Sequence, residues 1–137
     1  MVSSSIDKIR KVTMADVETA MTDLLARDDG VLAQATRYHL ASGGGRARAR
    51  LALESAHALN LSFATTRSIS AACELLHNAS LVHDDLQDGD TVRRGKTAVW
   101  KKFGSNTAIC LGDLMVSAAY AAIASAPGDQ LATMIAH

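Results

Sequence analysis

An all-α fold is what this sequence predicts, on three observations. A single proline, Pro127, occurs in 137 residues. Apolar residues recur at intervals of three and four rather than two. The breaks between these runs fall on glycine-rich or polar stretches. The first run, Met14, Val17, Met21, Leu24 and Leu25, has Thr13 as its candidate cap and Asp28-Asp29-Gly30 as its stop. A short second helix is expected over Val31 to Leu40, closed by "SGGG" at 42 to 45. "RARARLALESAHAL" carries a third to about Asn60. A fourth, capped by Thr65 or Thr66, runs to Asp88, roughly 33 Å at 1.5 Å per residue, and Gly89 ends it. Residues 89–105 read as a polar loop. "NTAICLGDLMVSAAYAAIASA" then resumes as a strongly apolar helix that Pro127-Gly128 stops. Asp129 caps a further start at Leu131, Met134 and Ile135.

Five helices and a stub make a poor closed core for limbs of this length. Residues 1–137 are therefore read as the N-terminal part of a single, larger helical domain whose C-terminal part is absent. The formal net charge is zero and 48% of residues are hydrophobic. That balance argues against a nucleic-acid partner, which would need a basic excess to neutralise several phosphates; any phosphate site must be local. "MVSSSIDKIRKV" lacks the apolar run of a signal peptide, and no segment reads as the ~20 apolar residues needed to span a bilayer. A cytoplasmic protein without stable membrane insertion is expected. Cys73 and Cys110 lack zinc-like spacing and read as buried free thiols.

The chemistry is concentrated in "SLVHDDLQDGDTVRRG", residues 80 to 95. Asp84 and Asp88 lie one helical turn apart and share a face, with Asp85 about 100° around the axis. Such carboxylates repel one another unless a positive partner compensates them. They offer hard oxygen donors, too few to enclose an ion, which suits Mg²⁺, a cation that keeps several waters and bridges carboxylates to substrate phosphates. Arg93 and Arg94 supply guanidinium forks that match phosphate oxygens. Further back, Glu74, His77, Leu81, Asp84 and Asp88 step by three and four, a stripe suited to lining a cavity for a charged head and an apolar tail. A merely solvated acidic end is disfavoured, because the helix dipole opposes negative charge at a C-terminus. An EF-hand loop fails on spacing. Arg46, Arg48 and Arg50 alternate after glycines, which suggests backbone approaching an anion.

These residues resemble the trans-isoprenyl diphosphate synthases, the polyprenyl synthetase family, from about Tyr38 onward. "DDLQDGDTVRRG" reproduces the family's DDxxD motif with its following RRG triplet; "ELLHNASLVHDD" is similar to the helix leading into it, and "FGSNTAICLGDLMVSAAY" to the family's G-x-x-x-A-x-x-x-GD helix. The resemblance implies an isoprenoid-synthase helical bundle, seen as its N-terminal half, and a Mg²⁺-dependent prenyltransferase. In that chemistry an allylic diphosphate ionises, isopentenyl diphosphate attacks the cation, and proton loss gives a trans-polyprenyl diphosphate five carbons longer. It further implies Asp84 and Asp88 as principal metal ligands supported by Asp85, Arg93 on the allylic diphosphate, and Arg94, Arg48 and His77 on isopentenyl diphosphate. A homodimer through the apolar helix after the loop is implied too, or pairing with a C-terminal half.

Three departures stand out. The family's GGKRxRP segment is "GGGRARA" here, so Gly45 replaces a phosphate-binding lysine and Ala49 a proline; Arg46 or Arg50 is left to compensate. Thr97 stands where a proline commonly follows RRG. The second aspartate-rich motif lies in the half this chain lacks. Small residues at Ala79 and Ser80, five and four positions before Asp84, imply room for a product of C20 or longer, such as geranylgeranyl diphosphate. The alternatives are a terpene cyclase-like lyase acting on an allylic diphosphate, and a non-catalytic subunit of a heteromeric synthase.

Overall fold

The computed structural model describes residues 10–26, 29–128 and 136. Among them are six helices: α1 (Met14–Leu25), α2 (Val31–Ala41), α3 (Ala47–Ala58), α4 (Phe63–Asp88), α5 (Val99–Phe103) and α6 (Ser105–Ala124). The expected start at Asp129 to Ile135 lies outside the described residues, as does Asp28.

Each boundary has a local cause. Thr13 opens α1 with a capping box: its hydroxyl accepts from Asp16 N–H, and the Asp16 carboxylate accepts from Thr13 N–H at 2.7 Å. Arg10 grips the same carboxylate with two bonds of 2.8 and 3.0 Å, which holds the Asp16 pKa well below the ordinary carboxylate range. The long helix starts earlier than expected. Ser62, not Thr65 or Thr66, is its cap, with Ser62 Oγ accepting from Thr65 N–H; both threonines lie buried in the first turn. Twenty-six residues then give a rod of about 39 Å, closed by Gly89.

The stretch expected as loop has structure of its own. Val92–Arg93 and Lys96–Thr97 pair antiparallel around a two-residue turn, Arg94-Gly95. Both turn residues have positive φ, 52° and 76°, the mirror-image turn whose twist suits a hairpin. Tyr38 fastens this hairpin to α2 by donating its hydroxyl to Thr97 C=O at 2.7 Å, and Trp100 donates its indole N–H to Asp90 C=O at 2.7 Å. Helix α5 then turns Phe103 edge-on to Tyr38, ring centres 5.4 Å apart.

The core lies where α1, α4 and α6 meet, around Val17, Met21 and Leu25 from α1, Leu75 and Val82 from α4, and Leu111 and Met115 from α6. Each fully buried side chain of this size contributes about 1.5–3 kcal/mol. Small residues set the spacing of α4 and α6, the most extensive helix pair: Ala71, Ala72 and Ala79 on one side, Ala108, Gly112 and Ala119 on the other. A Cβ at Gly112 would fall on the His83 ring.

Two expectations are corrected. Cys110 is exposed and Cys73 half-buried, although both are free thiols; burial pushes the Cys73 thiol pKa up. Helix α6, with 20 residues and a mean hydropathy of 1.6, is long and apolar enough to cross a membrane by length and composition. Its face of Ala108, Leu111, Met115, Ala118 and Ala122 is packed into the core, as in a core helix whose outer face is also apolar.

Candidate diphosphate and metal site

The acidic end of α4 does not treat its three carboxylates alike. Asp85 is 3% exposed and gives both oxygens to Arg93, Oδ2 to Nε at 2.8 Å and Oδ1 to Nη2 at 2.7 Å. This charge-assisted fork pushes the Arg93 pKa further above its ordinary value. It also orients the guanidinium, because Nη1 is left on the edge away from Asp85. So Asp85, expected to support a metal, holds Arg93, and Arg93 reaches the site already clamped.

Asp84 and Asp88 are exposed on α4, and no hydrogen bond or ion pair engages either carboxylate among the described residues. Two open carboxylates one turn apart fit a cation that draws its remaining ligands from water and substrate. They do not fit an enclosed ion: no three His, Cys, Asp or Glu side chains converge on a metal position among the described residues. This is the donor set that Mg²⁺ accepts.

The cations gather beside them. His77 is half-buried, and its pKa is lowered by burial and then by the nearby positive charge of Arg48, with Arg94 and Arg93 adding to the effect against Glu74. Arg48 is exposed on the first turn of α3, where the helix dipole is itself positive. Arg94 sits at the tip of the hairpin and donates through Nη1 to Gly43 C=O. That contact explains the glycine beside it: Gly44 has φ +125°, and a Cβ there would lie 2.6 Å from Arg94 Cζ. The hairpin and the glycine loop thus meet, and the four predicted cationic residues share one electrostatic neighbourhood.

Two expectations about this region change. Arg46 is not free to replace the missing lysine at Gly45: its side chain is 13% exposed, 3.2 Å from Glu18 Oε1 and 3.7 Å from Glu74 Oε1. Glu74 is not on the cavity stripe with His77 and Asp84. It is 2% exposed and turned toward α3, where Oε2 accepts from Ala49 N–H at 3.1 Å. Asn78 donates to Glu74 Oε1 at 3.2 Å and to its carbonyl at 2.8 Å, and presents Oδ1 to His39 Nε2 at 2.9 Å. Since Asn78 offers oxygen there, neutral His39 carries its proton on Nε2. Burial lowers the His39 pKa. This buried chain through His39, Asn78, Glu74 and Arg46 was not identified from the sequence; the helical step from Glu74 to Asn78 was its one visible trace.

The polyprenyl synthetase family model matches residues 29–137. A probable farnesyl diphosphate synthase of Bradyrhizobium diazoefficiens is 42% identical over 120 residues, covering 82% of this chain and 36% of that protein. The geranylgeranyl pyrophosphate synthetase structure from Pyrococcus horikoshii superposes with a TM-score of 0.82 at 36% identity, over 90% of this chain and 38% of that one. A polyprenyl synthase from Caulobacter crescentus, solved with calcium and isoprenyl diphosphate, matches at 29% identity and a TM-score of 0.77, over 81% of this chain and 34% of its own. The chain spans little more than a third of the length of these relatives, as an N-terminal portion would.

Proposed function

The chain belongs to the polyprenyl synthetase family, and we propose that, joined to the C-terminal portion its relatives carry, it condenses isopentenyl diphosphate with an allylic diphosphate to give a longer trans-polyprenyl diphosphate. One observation carries this reading: two unengaged carboxylates, Asp84 and Asp88, stand beside a neighbourhood of four cationic or titratable donors, Arg48, His77, Arg93 and Arg94. A multiply charged diphosphate bridged by Mg²⁺ needs both signs.

The bound metal supplies positive charge that stabilises the departing diphosphate. The protein's own residues do the rest. Asp84 and Asp88 anchor the ions at the end of a rigid rod. Arg93, oriented by Asp85, meets the allylic diphosphate with its free edge, so less side-chain freedom is lost on binding. Arg48, His77 and Arg94 receive isopentenyl diphosphate from the facing side. His77, whose pKa is lowered by burial and by Arg48, adds a ring N–H to the two arginines.

Chain length rests on Ala79 and Ser80. Ala79 faces the core, at 2% exposure, whereas Ser80 is exposed and folds its hydroxyl back onto His77 C=O at 2.7 Å. The small residue on the open face favours a product of C20 or longer. The outer face of α6, with Ile109 and Tyr120 exposed, is the proposed homodimer surface, checked by light scattering of the full-length protein. The lyase alternative draws on one observation, the absence of a cation at Gly45 with Arg46 engaged elsewhere.

Full-length protein with Mg²⁺ is the direct test, incubated with an allylic diphosphate with and without isopentenyl diphosphate. Elongated products only in the presence of both, abolished by a chelator, support the transferase. Diphosphate release and a hydrocarbon from the allylic substrate alone would support the lyase instead.

A further inference from the structure

The N-terminus of α3 lacks a cap of its own. Its N-cap residue, Arg46, is in the left-handed region at φ 49° and makes no capping bond with its side chain. A non-glycine residue there is strained, and the first N–H groups of the helix need acceptors. Glu74, from the middle of α4, supplies an acceptor to the first turn and a charge facing the Arg46 side chain. One oxygen accepts from Ala49 N–H at 3.1 Å; the other lies 3.7 Å from Arg46 Nη1. Ala47 and Arg48 lie between these two attachment points, and Arg48 is exposed. The carboxylate is itself fixed, because Asn78 donates to Oε1 and Asn78 is held in turn by His39.

We infer that Glu74 is a positioning residue: it holds the backbone just after Arg48 through Ala49 N–H and the side chain of Arg46 just before it, and so fixes where the Arg48 guanidinium meets the diphosphate of isopentenyl diphosphate. The inference rests on the transferase reading above. It also accounts for Arg46, whose charge is used to hold the loop and not the substrate. A second, separate clamp, Arg94 on Gly43 C=O, lies at the other end of the same loop. The loop from Gly43 to Ala49 is tied at both ends, and its free cation lies between the ties. Loss of Glu74 releases the end that carries Arg48 and leaves the Asp84, Asp88 and Arg93 group untouched, so the two substrates respond differently.

The test is calorimetry on the full-length protein with Mg²⁺, titrating isopentenyl diphosphate and dimethylallyl diphosphate separately into wild type, Glu74→Ala and Glu74→Gln. Glu74→Ala is expected to weaken isopentenyl diphosphate about tenfold and the allylic diphosphate less than about twofold, the scale of one lost charge-assisted contact. Glu74→Gln keeps an acceptor for Ala49 N–H but loses the charge facing Arg46 and the acceptor for Asn78 Nδ2, so it recovers part of the affinity. Equal weakening of both ligands, or unchanged isopentenyl diphosphate binding in a folded variant, overturns the inference. Should Glu74→Ala not fold, Glu74→Gln decides alone: a loss of about threefold confined to isopentenyl diphosphate supports positioning, and no loss overturns it. A wild type that binds neither diphosphate overturns the transferase reading itself.

Discussion

Glu74 and Asp84 are carboxylates on one helix, about 15 Å apart along its axis, and they are solved in opposite ways. Glu74 is closed off: buried, capped onto α3, bonded by Asn78 and facing Arg46. Asp84, with Asp88, is open and meets no protein partner among the described residues. Asp85 lies between, buried against Arg93. A carboxylate whose acceptors are filled by the protein serves the fold, and one left unfilled at an unfavourable place on the helix is held for a ligand. The same rod therefore carries a structural middle and a chemical end.

The largest effect should come from breaking the open end. Asp84→Asn keeps shape and removes a metal-binding charge; condensation by the full-length enzyme should fall on the order of 10³-fold, as when a preorganised electrostatic contact is lost, with the melting temperature unchanged within about a degree. A comparable loss of stability would show that Asp84 holds the fold. The closed middle should answer the other way. Glu74→Ala takes the acceptor from the buried Ala49 N–H and one of two carboxylate partners from Arg46, and should cost about 2 kcal/mol in urea unfolding. A change below about 0.5 kcal/mol would place Glu74 with the open carboxylates. Gly44→Ala comes next, at about 1–3 kcal/mol, from a Cβ in a positive-φ conformation and against the Arg94 guanidinium; the Arg94→Ala background should recover the steric part.

Much of this division was legible in the sequence, for reasons that mark where legibility ends. The 3–4 periodicity of α1, α3 and α6 is written in side chains that meet one common core, so those helices follow from the pattern alone. DDxxD and RRG lie close together along the chain and needed no tertiary knowledge. The hairpin did not show, because two-residue strands are too short for alternation, and its signal was only the Arg94-Gly95 turn. Ser62 was passed over because Thr65 and Thr66 carry the same capping chemistry three and four residues later; burial, not propensity, separates them. Glu74 was assigned to the stripe by spacing. Its true partners lie 25 residues away at Ala49 and, through Asn78, 39 residues from His39, and no periodicity reports such pairings.

Acid should loosen the closed middle before any mutation does. Burial lowers the His39 pKa from 6.5, so the unfolded chain takes up a proton the native fold resists. The stabilisation is intact above pH 6.5 and declines as pH falls from there toward the lowered value. His77, depressed by burial and Arg48, adds in the same direction. The thermal midpoint should be flat from pH 7 to 8 and fall below about 6.5. His39→Gln should flatten the slope without removing it, since His77 remains; an unaltered slope would separate His39 from the buried chain.

The smallest effect is the one that sharpens the contrast most. Asp88 is the last residue of α4, in a final turn with no basic residue, where the partial negative charge of the helix end opposes it and Asp84 repels it from one turn away. Asp88→Asn relieves both, so in chelator the full-length variant should be more stable than wild type by about 0.5 kcal/mol, roughly one degree in thermal melting. Adding Mg²⁺ with inorganic pyrophosphate should reverse the order, because only wild type retains both carboxylates to gain from ligand binding. A variant no more stable in chelator would mean that Asp88 already has a compensating partner in the complete protein, and the open end would then be less open than its exposure indicates. A variant that gains as much from Mg²⁺ and pyrophosphate as wild type would remove Asp88 from the metal site and leave Asp84 to hold it.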